Sequence, residues 1–403
     1  MKYCPPEYWI WMQTALGAGA RVSEILAYFE TPEELYLAGS NEWRLSGLFT
    51  EKRIQALKNS TPSQTAQIFN ECKKCGYTII TPDSNLYPER FRNLSDMPLV
   101  LYGLGDCSVL KDQLSLGIVG TRNASDYGIE TAQKLSYALA KGGATIVSGG
   151  ALGIDSEAHA GAMLAKGRTM AFLGCGLSYK YLMENAPLRR AITRYGALFS
   201  EYAPLTAPSK RSFPIRNRLI SGVALGIIVI EAGRKSGSLI TASRALEQGK
   251  DVFAVPGDII RSSFDGANHL IKNGAKPVLN AEDVLSEYDY LYGEYIKSEY
   301  LDISLNEIKY VDYRKKKSPE NPEVARKTEE NITKTIPSVN EKKAPSDVSE
   351  EALKVYRALS EEPTHIDDII RATGMKMNVV LSALTELELE GAVEQVTGKK
   401  YKI

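Results

Sequence analysis

Six short runs between Leu116 and Val255 are largely apolar at consecutive rather than alternate positions. They are Leu116–Gly120, Thr145–Ser148, Met170–Leu173, Ala197–Phe199, Ile227–Ile230 and Val252–Val255. Such runs predict strands buried on both faces, as in parallel sheets. Each is followed by Gly or small polar residues and then by a helical stretch. The pattern predicts an α/β region over residues 76–300, a mostly parallel, doubly wound sheet covered by helices on both sides. Ligands of such sheets bind outside the carboxyl ends of the strands.

The periodicity changes on either side of that region. Residues 1–75 carry an apolar face of Tyr8-Trp9-Ile10-Trp11, Val22, Ile25, Leu26 and Phe29, and Thr31-Pro32 reads as an N-cap followed by proline at N1. Leu45, Leu48 and Ile54–Leu57 add further short helices, giving a small all-α domain of helix–hairpin–helix or SAM-like type, with Gly17-Ala18-Gly19 as a candidate hairpin turn. Residues 301–347 are rich in Lys, Glu, Asn and Pro with few apolar positions, and so predict a disordered linker. Residues 348–403 return to helical periodicity over 348–359, 365–372 and 378–389. Val393–Val396 and Tyr401–Ile403 then flank Gly398 as a hairpin, which together predicts a winged helix. Its third helix sets Lys376 against Glu386, Glu388 and Glu390, a balance that opposes docking on a DNA duplex.

Composition narrows the function classes. The 403 residues carry 49 Lys+Arg and 49 Asp+Glu, so any nucleic-acid site must come from local clustering of charge. No apolar run approaches membrane-spanning length, and the start lacks the apolar core of a signal peptide. Five cysteines, an odd number, give no disulfide framework and fit a reducing cytoplasm. The lone Cys72-Lys73-Lys74-Cys75 pair lacks the further ligands a zinc site needs, so neither metal nor cofactor is expected.

Local clustering is found in Lys210-Arg211-Ser212-Phe213-Pro214-Ile215-Arg216-Asn217-Arg218, which holds four cations, one ring and no acid. It stands at the start of an apolar i, i+4, i+8 pattern of Ile215, Leu219 and Val223. Phosphate neutralisation beside an aromatic platform suits a single-stranded nucleic acid. Three βα loops would join it at the sheet edge. Gly120-Thr121-Arg122 brings a backbone N–H, a hydroxyl and a guanidinium together. Ser148–Asp155 contains Gly149 and Gly150, expected to let a phosphate approach the backbone, with Asp155 as a cap for the next helix. Lys235, Ser236 and Ser238 open a further helix. His159, without a neighbouring nucleophile or carboxylate dyad, reads as a packed histidine.

Several stretches together resemble the bacterial DNA-processing protein A (DprA/Smf) family. These are Gly120-Thr121-Arg122, Ser148–Asp155 with Ala158-His159, Phe213–Gly222, Glu231-Ala232, Ser236-Gly237-Ser238, Val255-Pro256-Gly257, and Tyr87-Pro88 through Pro98-Leu99. The resemblance implies an extended Rossmann core that binds single-stranded DNA and loads the RecA recombinase onto it during natural transformation. It assigns Arg122 and Lys210 to phosphates, Phe213 to a base, and Arg216, Arg218 and Asn217 to support. It further implies a non-enzymatic, cytoplasmic protein without cofactor or membrane contact, working as a homodimer through the Rossmann domain. Leu270, Ile271 and Leu285 are candidates for that contact. Two departures stand out: Tyr181 is followed by Leu182 where the family shows Tyr-Pro, and Ala224 replaces a frequent Ser. The rival from another class is a nucleotide-processing enzyme of the lysine-decarboxylase-like phosphoribohydrolase type. That family's Pro-Gly-Gly-x-Gly-Thr-x-x-Glu is absent, and Glu231–Ser238 stands in its place.

Overall fold

The computed structural model of the chain describes residues 2–181, 183–313, 349–359, 364–375, 377–389, 392–396 and 400–402. Two compact units divide it, 1–314 and 315–403. The first opens with five helices: α1 (Pro6–Leu16), α2 (Ser23–Phe29), α3 (Pro32–Leu45), α4 (Glu51–Lys58) and α5 (Ala66–Cys75). Thr31 caps α3 as its position before proline predicts, its hydroxyl accepting the Glu34 N–H at 3.1 Å. Thr50 caps α4 in the same way, and Gly76 at φ +68° ends α5 in the left-handed region.

A single apolar face does not describe α1, because five consecutive residues, Trp9 to Gln13, are buried. The helix lies between the other helices and the sheet. Trp11 packs against Tyr36 and Trp43 and donates its indole N–H to Ser60. Gln13 faces the opposite way: its amide donates to the Val100 and Glu201 carbonyls and accepts the Val100 N–H at 2.8 Å. The helical layer therefore shares one hydrophobic core with Phe91, Phe172, Phe199 and Val229 of the α/β region.

The sheet has nine strands in the order β1-β2-β6-β5-β4-β3-β7-β8-β9. The six runs read from the sequence are β3 (Ser115–Val119), β4 (Thr145–Ser148), β5 (Thr169–Leu173), β6 (Gly196–Ser200), β7 (Gly226–Val229) and β8 (Asp251–Ala254), all parallel. The edges were not visible in the apolar pattern. On one side β1 (Thr78–Ile80) and β2 (Leu101–Gly105) add antiparallel strands; on the other, β9 (Lys276–Pro277) is two residues long. Between strands run α7 (Asp126–Lys141), α8 (Ile154–Leu164), α9 (Ala186–Ile192), α10 (Ser212–Val223) and α11 (Gly237–Glu247), with α6 (Glu89–Arg92) before β2 and α12 (Asp265–Lys272) after β8. Chain connections leave β3 toward β4 on one side while β7 flanks it on the other. The carboxyl end of β3 is thus the switch point where a crevice opens.

Residues 301–313, which their polar composition places in a linker, lie against the first unit instead. Leu301, Leu305 and Ile308 pack on its core, and Val311 exchanges two hydrogen bonds with the Gln133 amide. A few well-spaced apolar residues suffice there because α7 offers a half-buried groove. The remainder of the expected linker, 314–347, lies outside the described residues. Leu285 is fully buried and is no contact residue, whereas Leu270 and Ile271 are half-buried, packing one side on the core. Among the apolar side chains that are exposed near the end of the core are Ile259 and Ile260, at 86% and 90%, with Leu279, Tyr290 and Leu291 further along.

In the second unit, helices Glu350–Arg357, Ile366–Thr373 and Met377–Leu389 pack on a three-stranded sheet in the order β10-β12-β11. Its strands are β10 (Thr364–His365), β11 (Glu394–Val396) and β12 (Lys400–Lys402), a winged-helix arrangement. Glu386 of the third helix accepts both the N–H and the hydroxyl of Ser349. Lys376 and Gly398 lie outside the described residues.

All five cysteines are free thiols. Among the described residues no cluster of His, Cys, Asp and Glu has the makings of a metal site, and no helix is long and apolar enough to cross a membrane.

Candidate functional site

At the carboxyl ends of β3 and β7 a cleft of about 380 Å³ opens between the loops read from the sequence. It is lined by Gly120, Thr121, Arg122, Phe213, Asn217, Ser236 and Ser238, together with Ala151, Asp155, Arg216 and the first turn of α11. A larger cavity of about 670 Å³ runs along α7 and residues 301–306, but its one cation, Lys134, is paired with Glu130 at 2.6 Å. The smaller cleft is the one with open chemistry.

Its rim is fixed from behind. The Thr121 N–H donates to the Glu231 carbonyl and its own carbonyl accepts from Ile154, so the loop after β3 is held by the loops after β7 and β4. The buried Glu231 carboxylate accepts the N–H and the hydroxyl of Ser125, the N-cap of α7, at 3.0 and 2.8 Å. That anchor is a role the sequence reading did not give Glu231. The Ser236 hydroxyl caps α11 through the Ser238 N–H, leaving the positive end of that helix at the cleft.

On this frame the Arg122 side chain is exposed and makes no ion pair or hydrogen bond among the described residues. Its guanidinium lies 5.2 Å over the Phe213 ring. Phe213 is half-buried beside Tyr181, ring centres 5.8 Å apart, an aromatic neighbour the sequence reading missed. Lys210 and Lys235 are exposed and do not line the cleft; they flank it on the turns that lead into α10 and α11.

Four residues expected at the DNA site, Arg216 and Arg218 as supporting cations and Gly149 and Gly150 for close backbone approach, make contacts within the protein. Arg216 is 5% exposed; its guanidinium donates to the Gly149 and Phe172 carbonyls and to the Asn217 amide oxygen. It forms the floor of the cleft, and burial holds it below the usual arginine range. Arg218, 2% exposed, points the other way, toward Glu201 at 2.6 Å and Asp96 at 3.4 Å. Helical geometry explains the split, since residues two apart on a helix do not share a face. Gly149 is there for Arg216: a Cβ on it would come within 2.5 Å of the guanidinium, while its N–H is taken by the Asp155 carboxylate. Gly150 adopts φ +63° for the turn and gives its carbonyl to Asn185.

Asp155 does not cap α8. It lies inside the helix and clamps the loop before it by accepting the Gly149 and Ala151 N–H groups. Burial pushes its carboxyl up, opposed by the Arg216 guanidinium and those N–H groups. It is the single carboxylate among the cleft's lining residues, with no second acid beside it for general acid–base work. His159 is packed as expected: fully buried, it shares a 2.7 Å hydrogen bond with the Thr169 hydroxyl, and burial lowers it to about 3. What the cleft offers is an unpaired guanidinium over a ring, a helix N-terminus with hydroxyls, and a buried cation in the floor.

Comparison with known proteins bears on the family and the fold. The family model of the DNA recombination-mediator protein A matches residues 78–289, and the DprA winged helix domain matches residues 339–399. Protein Smf of Synechocystis is 32% identical over 410 residues, covering 98% of each chain. The DNA processing protein DprA of Bacillus subtilis is 40% identical over 238 residues, 58% of this chain and 80% of that one. The X-ray structure of DNA processing protein A from Streptococcus pneumoniae superposes with a TM-score of 0.62 at 33% identity, over 71% of this chain and 99% of that one. With an extended Rossmann-like sheet, a winged helix and a match spanning nearly the whole length of a known member, the chain belongs to the DNA recombination-mediator protein A (DprA/Smf) family.

Proposed function

We propose that the cleft at the end of β3 binds single-stranded DNA. The observation that carries this reading is Arg122, an exposed guanidinium without a counter-ion among the described residues, lying over the half-buried ring of Phe213 beside the capped N-terminus of α11. A base entering the cleft displaces the guanidinium from the ring, and the freed Arg122 takes the adjoining phosphate. Each exchange replaces one favourable contact by another, so neither group has to leave water unpaired. Asn217, Ser236 and Ser238 offer polar groups along the path, while Lys210 and Lys235 neutralise phosphates on either flank. A paired duplex keeps its bases stacked inside, so it cannot use the ring.

On the family resemblance the reading extends further. The chain protects incoming DNA in natural transformation and hands it to the RecA recombinase, acting as a binder rather than an enzyme and as a homodimer through its Rossmann domain. The exposed pair Ile259 and Ile260 supports an apolar contact between copies.

The test is fluorescence anisotropy with a labelled oligo-dT and the matching duplex from 50 to 300 mM salt. Single strands should bind at least tenfold more tightly, with log affinity falling linearly in log salt as counterions are released. Equal affinity for duplex, or an affinity flat in salt, would overturn the reading.

A further inference from the structure

Helix α11 is eleven residues long, about 16 Å from end to end. Its N-terminus borders the DNA cleft; its C-terminus borders a second, polar pocket of about 480 Å³. This pocket lies where the turn after α1 meets the segment after α6, and its lining brings together Arg21, Arg90, Arg218, Arg244 and Lys250 against only Asp96 and Glu247.

The two acids are already engaged. Glu247 pairs with Arg244 at 2.7 Å, and Asp96 and the buried Glu201 pair with Arg218. Arg90 is held by the Val223 and Gln113 carbonyls, which are neutral acceptors. Arg21 and Lys250 make no ion pair or side-chain hydrogen bond among the described residues. Most telling is Arg218. Its side chain is 2% exposed, yet among the described residues Nη1 has no acceptor and Nε meets Asp96 only as an ion pair at 3.4 Å. A buried guanidinium N–H left open is costly and calls for an acceptor. Burial and the nearby Arg90 both hold Lys250 below the usual lysine range, with Asp251 opposing, which marks a crowded cation without its counter-ion.

We infer that this pocket, formed by Arg21, Arg90, Arg218 and Lys250, is a phosphate-binding site separate from the DNA cleft. A tetrahedral oxyanion would neutralise Lys250, meet Arg90 and draw in Arg21 from the rim, over a wall charged by the buried Arg218. The phosphate has two possible sources: it is free in solution or it belongs to a strand that has passed along α11. The pocket stands whether or not the cleft binds DNA.

The experiment uses the full chain in thermal melts with inorganic phosphate against chloride at constant ionic strength. Wild type should gain roughly 2 °C at 10 mM phosphate, as expected for a millimolar ligand of the folded state. Lys250→Met should melt at least as high as wild type in chloride, because it removes a crowded ammonium, and yet lose most of the phosphate gain. Arg21→Ala should lose much of it too, whereas Arg122→Ala, in the cleft, should keep it. This opposite movement of basal stability and phosphate response is not what a merely structural lysine would give. Oligo-dT of 4 and 20 nucleotides then separates the sources. A strand phosphate predicts that Lys250→Met weakens the 20-mer and spares the 4-mer; free phosphate predicts that both are unchanged. No phosphate gain in wild type, or an equal gain in Lys250→Met, would overturn the proposal whatever the oligonucleotides do.

Discussion

Replacing Gly149 by alanine separates the two jobs open to a glycine at the end of β4. The position does not have a positive φ, so alanine brings no backbone strain. It does bring a Cβ to 2.5 Å from Arg216 Nη1 and 2.7 Å from Cζ. The guanidinium is buried and cannot swing into solvent, so it must give up its bonds to the Gly149 and Phe172 carbonyls. Each hydrogen bond from a charged donor is worth about 1.5–3 kcal/mol, and partial relaxation recovers some of the pair. The expected loss is about 3 kcal/mol, a fall in Tm of roughly 6 °C for a unit of this size. Denaturant unfolding at pH 7, followed by circular dichroism, reads it directly, with oligo-dT affinity measured alongside. Affinity should also fall, since Arg216 floors the cleft. If Gly149→Ala instead kept its Tm while losing DNA binding, the glycine would be serving phosphate approach and the structural reading of Arg216 would be refuted.

Two further substitutions test buried groups. His159, neutral in the fold at about 3 against about 6.5 in the unfolded chain, makes the unfolded state take up the proton first, so stability drains away as pH falls below about 6.5. Wild type should lose about 2 kcal/mol from this group between pH 7 and 5, and His159→Gln should flatten that part of the slope; an unchanged slope would assign the acid sensitivity elsewhere. Arg218→Met leaves Glu201 buried without its partner and should cost about 3–5 kcal/mol, with faster proteolysis of residues 1–75, because Glu201 also accepts the Gly19 N–H. Adding Glu201→Leu should restore much of that stability, and a double variant no better than the single would show that the pair was not the cause.

The central sheet was legible because parallel strands buried on both faces write themselves as consecutive apolar residues, from Leu116 to Val255. The edge strands were not, because Lys276-Pro277 and Thr78–Ile80 are too short to set a period. The site was legible as a set of loops but not as a set of roles. Arg216 and Arg218 read as equivalent cations in a basic run, yet only the three-dimensional neighbours decide that one floors the cleft and the other ties the helical layer to the sheet. Glu231, tied to Ser125 on another loop, gives no local signal of that role, and Asp155 reads as an ordinary helix cap although it clamps the loop before its helix. Arg122, which the sequence places at the end of an apolar strand, is exposed there.

The most direct measurement of the proposed site compares Arg122→Ala with wild type in oligo-dT affinity and in Tm, with Lys210→Ala beside it. Arg122 is exposed and, among the described residues, has no partner other than the Phe213 ring, so its loss should leave Tm within about 1 °C. Affinity should drop about tenfold, the worth of one charge-assisted phosphate contact, and Lys210→Ala should weaken binding to a lesser degree with a shallower salt dependence. Unchanged affinity in Arg122→Ala with the protein fully folded would contradict single-strand binding at this cleft.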